Sequence, residues 1–248
     1  MATPLIRRRF VLALLCYNEE ESIETTLKDV ENIERRILEN THLLVFDNHS
    51  EDKTFEIAEK YIESSKKISG EVKRNSHNLG YSGNAFQAVQ FFRESKSDYL
   101  FIVDGDGQFP IKSIGEFLLK LESGSNLVLT KRINKGSLEI RNFGSFIFRI
   151  MCAFVVNSKL KDINGGFRAL DQNLVSKIQG FPEGRTVNPF LYFIAQKNTL
   201  RISWVPIAAV PRIGGTSFLN FNKPLLLTTE SFFELLRIRR EKYKWNMD

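Results

Sequence analysis

Two carboxylates one glycine apart, Asp104 and Asp106, end the run Tyr99-Leu-Phe-Ile-Val-Asp-Gly-Asp-Gly-Gln-Phe-Pro110, and Gln108 continues the alternation. Hard oxygen atoms at every second position suit Mg2+ or Mn2+. Mg2+ takes one or two protein carboxylates and completes its shell with water and phosphate oxygens. Asp104, Asp106 and Gln108 are therefore candidate ligands of a cation that holds a phosphorylated ligand. A polar turn whose Asp caps the next helix has the same composition, and D-x-D alone does not separate the two.

The residues before the carboxylates are a buried strand, too short and too rich in β-formers for a helix, and Gly105 and Gly107 let the chain turn sharply beyond it. The same grammar recurs along the first half. Phe10 to Leu15 is an apolar strand ending in Cys16-Tyr-Asn-Glu19. Ile23, Leu27, Val30 and Ile37 then mark one helix face. Leu43 to Phe46 ends in Asp47-Asn-His-Ser50, with Ser50 or Asp52 available to cap a helix that buries Phe55, Ala58 and Ile62. A short strand around Val72 leads to Gly80 and Gly83 ahead of a further helix, and Leu127 to Leu129 ends in Thr130-Lys-Arg132. Five alternations of strand and helix imply a mainly parallel α/β sheet covered on both faces. Ligands bind beyond the carboxyl ends of such strands. Tyr17 to Glu19, Asp47 and Asn48, Asp104 to Gln108, and Arg132 are expected to converge on one crevice.

The 248 residues, 42% hydrophobic and 26% charged, can bury a full core. Two cysteines without metal or disulfide spacing indicate a reducing compartment, and no apolar segment is long enough to span a bilayer. A cytoplasmic protein is expected. The net charge of +6 favours an anionic partner, and without zinc-finger, RNP-type or basic heptad patterns nucleic acid is not expected. Neither G-x-G-x-x-G after the first strand nor a P-loop is present. Phe143 to Val156 suits an interfacial helix, and Lys161 to Arg168 reads as a turn that brings a carboxylate and a guanidinium together. Pro224 to Trp245 mixes Leu225, Leu226, Phe232, Phe233, Leu236 and Trp245 with Arg237, Arg239, Arg240, Lys242 and Lys244, as a helix on an anionic membrane would.

Apolar residues followed by Asp-Gly-Asp-Gly resemble the first motif of haloacid-dehalogenase phosphatases, but no adjacent acidic pair follows position 110. Six ordered motifs instead make the chain similar to family 2 glycosyltransferases of the GT-A fold, in the dolichyl-phosphate mannosyltransferase and polyprenyl-phosphate glycosyltransferase branch. They are Leu15-Cys-Tyr-Asn-Glu19, Asp47-Asn-His-Ser-Glu-Asp-Lys-Thr54, Asp104-Gly-Asp-Gly-Gln108, Lys131-Arg132, Asp162-Ile-Asn-Gly-Gly-Phe-Arg168 and Arg212-Ile-Gly-Gly-Thr-Ser217. The resemblance implies a Rossmann-like GT-A domain over residues 1–220 and a basic amphipathic helix over 221–248.

It further implies an inverting hexosyltransferase that moves a sugar from a GDP- or UDP-linked donor to a polyprenyl or dolichyl phosphate at the cytoplasmic membrane face. Leu15, Tyr17, Asn18, Glu19, Asp47, Asn48, Gly80, Gly105 and Ser217 would hold the substrates. Asp104, Asp106 and Gln108 would hold Mg2+ or Mn2+, and Arg132 and Arg212 the phosphates. Asp106, Arg132, Asp162 and Arg168 would form the catalytic set. Asn48 stands where the family has Asp, Phe218 where mannosyltransferases have Lys, and Gly166 where some relatives carry a carboxylate. A phosphate dianion needs no general base, whereas a sugar hydroxyl does. The sequence offers Asp162 alone as a nearby base candidate, with Arg168 placed to occupy it and to hold an anionic acceptor, so a lipid phosphate is the expected acceptor. A hydroxyl acceptor in polysaccharide synthesis and an inactive nucleotide-sugar- or membrane-binding scaffold are the alternatives, and oligomerisation is left open.

Overall fold

Alternation along the strands divides the apolar residues between two layers. In β1 (Phe10–Cys16) Phe10, Leu12, Leu14 and Cys16 face one side and Val11, Ala13 and Leu15 the other, and all seven are buried. A strand buried on both faces needs a covered sheet. The computed structural model describes residues 8–133, 139–158, 163, 165–208, 210–211, 224–242 and 245–246; of residues 139–145, 224–228 and 245–246 it describes the backbone alone.

After β1 come α1 (Ile23–Glu31), α2 (Arg35–Leu38), β2 (Thr41–Asp47), α3 (Thr54–Ser64), β3 (Ser69–Arg74) and α4 (Gly80–Glu94). Next are β4 (Tyr99–Asp104), a 3-10 turn (Ile111–Ser113), α5 (Ile114–Glu122), β5 (Leu127–Arg132), α6 (Glu139–Val156), β6 (Phe167–Asp171) and α7 (Gln172–Val175). The remainder is β7 (Gly180–Phe181), α8 (Val187–Lys197), β8 (Ile202–Ile207), α9 (Pro224–Arg239) and β9 (Trp245–Asn246). The seven-stranded sheet has the order β3-β2-β1-β4-β6-β5-β8, and β7 pairs with β9 apart from it. All neighbours in the large sheet are parallel except β6, which runs antiparallel to both β4 and β5. The mainly parallel α/β architecture expected from the sequence is the one observed.

Four local readings change. The face Ile23 to Ile37 belongs to two helices, because Glu34 takes an extended conformation between α1 and α2. Gly80 is the first residue of α4 and Gly83 lies inside it. Phe167 and Arg168 belong to strand β6 rather than to a turn. Trp245 lies in β9, beyond the end of α9.

One layer is built by α1, α3 and α5, the other by α4, α6, α8 and α9. Leu235 and Ile238 of α9 are buried in the second layer, so this helix completes the core; the expected boundary at residue 220 falls outside the described residues. None of the described helices is long and apolar enough to cross a membrane.

Candidate active site

Register brings the chemistry together. Leu15 lies opposite Asp104, and Cys16 opposite Asp47, so the carboxyl ends of β1, β2 and β4 stand level. The chain runs outward from β1 in both directions here, to β2 on one side and β4 on the other, and the loops that diverge leave a crevice. A cleft of about 540 Å³ lies there, lined by Leu15, Tyr17, Glu19, Asn48, Gly80, Asp104 and Asp106 among the expected residues.

The carboxylate turn is fixed mainly through its backbone. The Gly105 N–H donates to the Leu15 carbonyl at 2.9 Å, and the Gly105 carbonyl accepts from the Ser22 and Thr26 hydroxyls at 3.0 and 3.3 Å. A side chain at 105 would run into the Cys16 sulfur, so glycine alone lets the turn lie this close to β1. Asp106, 9% exposed, accepts the Gln108 N–H at 3.0 Å. Gln108 does not line the cleft; its carbonyl accepts the Val210 N–H at 3.0 Å.

Asp104 is held from both sides. The Tyr81 hydroxyl donates to its Oδ1 at 2.8 Å. On the other side Gly166 approaches so closely that a Cβ there would overlap the Asp104 carboxylate and come within 2.6 Å of the Phe109 ring. Position 166 therefore cannot carry a carboxylate while Asp104 keeps this place.

Asn48 supports the opposite wall. Its amide donates to Asn78 Oδ1 at 2.8 Å and to the Gly80 carbonyl at 3.3 Å, while its oxygen accepts from the Asn75 amide and the Leu79 N–H at 3.0 and 2.9 Å. These contacts seat the start of α4. An aspartate could not make both donations.

Other expected residues lie off the cleft. Asp47 is fully buried, accepts the Ser50 N–H and pairs with Arg74 at 3.3 Å. Asn18, at φ 55°, accepts the Glu51 N–H, tying the first loop to the second. Arg132 ends β5 and is absent from the cleft wall, because β6 separates β5 from the carboxylate strand. Arg168 is also absent from it and is completely buried. Its strand neighbours Phe167 and Ala169 face the α1–α3–α5 layer, so Arg168 turns toward α4 and α8. There its Nη1 donates to the Tyr81 hydroxyl and to Asn188 Oδ1, both at 2.8 Å. Asp162, Arg212 and Ser217 lie outside the described residues.

The cleft wall also contains residues not singled out in the sequence: Asn78, Tyr81, Asn84, Gly184, Arg185 and Asn188. They arrive with the start of α4 and the loop before α8, which the Ser82 N–H joins by donating to the Gly184 carbonyl at 3.1 Å. A polar Asn-rich segment ahead of a helix was the only sign.

Electrostatics fit a cation. The Cys16 thiol is pushed well up, first by burial and then by Glu19, Asp47, Asp106 and Asp104. Four carboxylates thus place a negative field on the cleft floor, and the thiol stays protonated. Burial also raises the Tyr81 phenol, which keeps its proton beside Asp104. Among the described residues no group of three or more His, Cys, Asp or Glu gathers into a cage. Asp104 and Asp106 are a sparse set of the kind that leaves room for phosphate oxygens.

The family model "Glycosyl transferase family 2" matches residues 12–179. A dolichol-phosphate mannosyltransferase of Pyrococcus furiosus is 26% identical over 237 residues, covering 92% of this chain and 62% of that protein. An undecaprenyl-phosphate 4-deoxy-4-formamido-L-arabinose transferase of Photorhabdus laumondii is 25% identical over 84% of this chain and 62% of its own. The present chain therefore spans a little under two thirds of the length of either. A dolichyl-phosphate hexose transferase of Haloferax volcanii is 26% identical, covering 81% of this chain and 82% of that protein. Among solved structures, glucosyl-3-phosphoglycerate synthase of Mycobacterium tuberculosis, in complex with Mn2+, UDP and phosphoglyceric acid, superimposes with a TM-score of 0.70 at 17% identity over 94% of this chain and 78% of that one. That likeness concerns the fold alone. On the extent of the family match, the chain belongs to glycosyl transferase family 2.

Proposed function

We propose that this chain transfers a sugar from a nucleoside diphosphate sugar to a polyprenyl phosphate, with Asp104 and Asp106 holding Mg2+ or Mn2+ against the donor diphosphate. The observation that carries the reading is the pair of carboxylates on the floor of a negatively polarised cleft at the strand ends. When bound, the cation supplies Lewis-acid stabilisation of the diphosphate leaving group. The wall formed by Leu15, Tyr17, Glu19 and Asn48 receives the nucleoside, and attack opposite the diphosphate inverts the anomeric carbon. Arg132, Arg212, Ser217 and Asp162 keep the roles expected from the resemblance.

A phosphate acceptor fits this cleft better than a hydroxyl. Among the described residues the carboxylates that line it are Glu19, Asp104 and Asp106; Glu19 is buried beside the Ser22 hydroxyl. Position 166 is closed to a base. Among the described lining residues the cation is Arg185, just ahead of α8, where the helix N-terminus adds attraction for an anion. Arg168, enclosed behind Tyr81, acts on the cleft through its neighbours.

The lipid reaches this wall from a membrane surface. Phe146, Ile150 and Phe154 recur every fourth residue of α6 and are 48%, 45% and 81% exposed, and Phe233 of α9 is 60% exposed. Arg237, Arg240 and Lys242 are exposed on and beyond the same C-terminal helix. Aromatic and aliphatic side chains bordered by cations suit the headgroup region of an anionic bilayer. Next to Phe233, Glu234 accepts the Arg185 N–H at 3.2 Å, so α9 touches the loop that carries the cleft's arginine. In this reading α9 completes the catalytic unit's core through Leu235 and Ile238 and presents Phe233 to the membrane.

The test incubates the protein with UDP- and GDP-sugars, Mn2+ or Mg2+ and polyprenyl phosphate, with and without excess chelator. Glycolipid that disappears with chelator or with Asp106→Ala is expected, the variant remaining folded. Full turnover in chelator overturns the cation, product on a free sugar alone favours a hydroxyl acceptor, and donor binding without turnover favours a scaffold. Flotation with anionic liposomes, lost in Phe146→Ser/Phe154→Ser, is the expected membrane result; equal flotation of the variant overturns that surface.

A further inference from the structure

Tyr81 lies between a buried guanidinium and the first carboxylate of the turn, and hydrogen-bond direction in this row is forced. A guanidinium can only donate. Arg168 Nη1 gives one proton to the Tyr81 oxygen at 2.8 Å, so the tyrosine's own proton is left to point at Asp104 Oδ1, also 2.8 Å away. The acceptor is then a carboxylate oxygen fixed in direction. Arg168 cannot turn away, because the same nitrogen is held by Asn188 Oδ1 at 2.8 Å, and Asn188 in turn donates to the Gly165 carbonyl at 2.7 Å. The guanidinium also lies over the Tyr81 ring, 5.4 Å from its centroid. Nε and Nη2 of Arg168 are buried without a hydrogen-bond partner among the described residues.

We propose that Tyr81 is a positioning residue for the cation: backed by Arg168, its hydroxyl holds the Asp104 carboxylate in one orientation before metal and donor arrive. A ligand fixed in advance loses less freedom on binding, and hydrogen-bonded partners of metal-ligating carboxylates typically change metal affinity by about 10- to 100-fold when removed. The proposal rests on the divalent-cation reading of Asp104 and Asp106. Tyr81 does not touch the cation; it acts through Asp104.

The experiment measures Mn2+ binding directly, from the electron paramagnetic resonance signal of free Mn2+, with UDP or GDP present, in wild type, Tyr81→Phe and a protein with p-aminophenylalanine at position 81. The amine still donates a proton to Asp104. Tyr81→Phe is expected to remain folded and to bind Mn2+ about tenfold more weakly, with the amine restoring affinity to within about threefold. Activity at saturating Mn2+ should recover more fully in Tyr81→Phe than activity at limiting Mn2+. Wild-type affinity in Tyr81→Phe overturns the proposal while leaving the cation reading intact, and absence of Mn2+ binding in wild type overturns both. Should Tyr81→Phe not fold, the amine variant decides: near wild-type affinity supports the proposal, and a tenfold loss despite the retained donor overturns it.

Discussion

Gly166 and Asp104 occupy adjoining space, with the Asp104 N–H donating to the Gly166 carbonyl at 3.1 Å and the Asp104 carboxylate lying where a side chain of residue 166 would begin. Gly166→Ala is therefore expected to displace Asp104, against Phe109 on the other side, and to lower kcat/KM at least tenfold. Mn2+ titration checks the cause: the loss should be accompanied by weaker metal binding, whereas unchanged Mn2+ affinity would locate the damage elsewhere.

Asn48→Asp replaces two donations with a carboxylate facing the Asn78 and Gly80 oxygens. A cost of about 1–3 kcal/mol is expected from the unpaired acceptors. Urea unfolding should show it as a lower midpoint at unchanged m-value, with donor affinity falling as the α4 wall loosens.

Arg168 and Arg185 should separate by phenotype. Arg168→Ala leaves the Tyr81 oxygen and Asn188 Oδ1 without their donor, which is expected to cost about 1–3 kcal/mol of stability. Arg185→Ala alters an exposed side chain at the cleft. It should leave the melting temperature within a few degrees and raise the acceptor KM about tenfold, with donor KM little changed. Steady-state kinetics with varied polyprenyl phosphate measure the split.

Glu234 supplies a pH dependence. Burial raises its carboxyl from the ordinary 4.5, outweighing the Arg185 N–H and Thr186 contacts that lower it. With the native pKa above the unfolded one, the native state binds the proton more tightly. This group's contribution is complete below pH 4.5 and is lost as pH rises through the native value. Glu234→Gln removes that loss, so the variant should gain on wild type as pH rises from 4.5 to 7. Urea unfolding at the two pH values measures it; a difference independent of pH would contradict the raised carboxyl.

The parts legible in the sequence are those fixed by short-range pattern. β1, β2 and β4 announce themselves as apolar runs ending in polar corners, and α5 by Ile114, Phe117, Leu118 and Leu121 on one face. Strand β6 escaped because Phe167-Arg-Ala-Leu-Asp171 puts an arginine on a buried face just after two glycines, and only Tyr81 and Asn188, 87 and 20 residues away, make that burial tolerable. Asn48 stands where the family has Asp, and its partners in the Asn75–Gly80 segment, about 30 residues on, show why an amide fits there. Tyr81 and Arg185 were invisible for the same reason, since nothing near either in the chain records the helix or loop that carries it to the cleft.

Strand β6 also sets the order in which the molecule can be completed during synthesis. The partner of β4 on that side is not the next strand made, β5, but residues 167–171, which leave the ribosome some 60 residues later. Until then Leu100 to Val103, wholly apolar, present an unpaired backbone edge to the cell. Nascent chains stopped between about residues 130 and 165 are expected to self-associate or recruit chaperones, and release to a soluble state should coincide with emergence of Asp171. The strand bearing Asp104 thus acquires its last neighbour from the segment that also supplies Arg168, making β-sheet closure and construction of the carboxylate's surroundings one event.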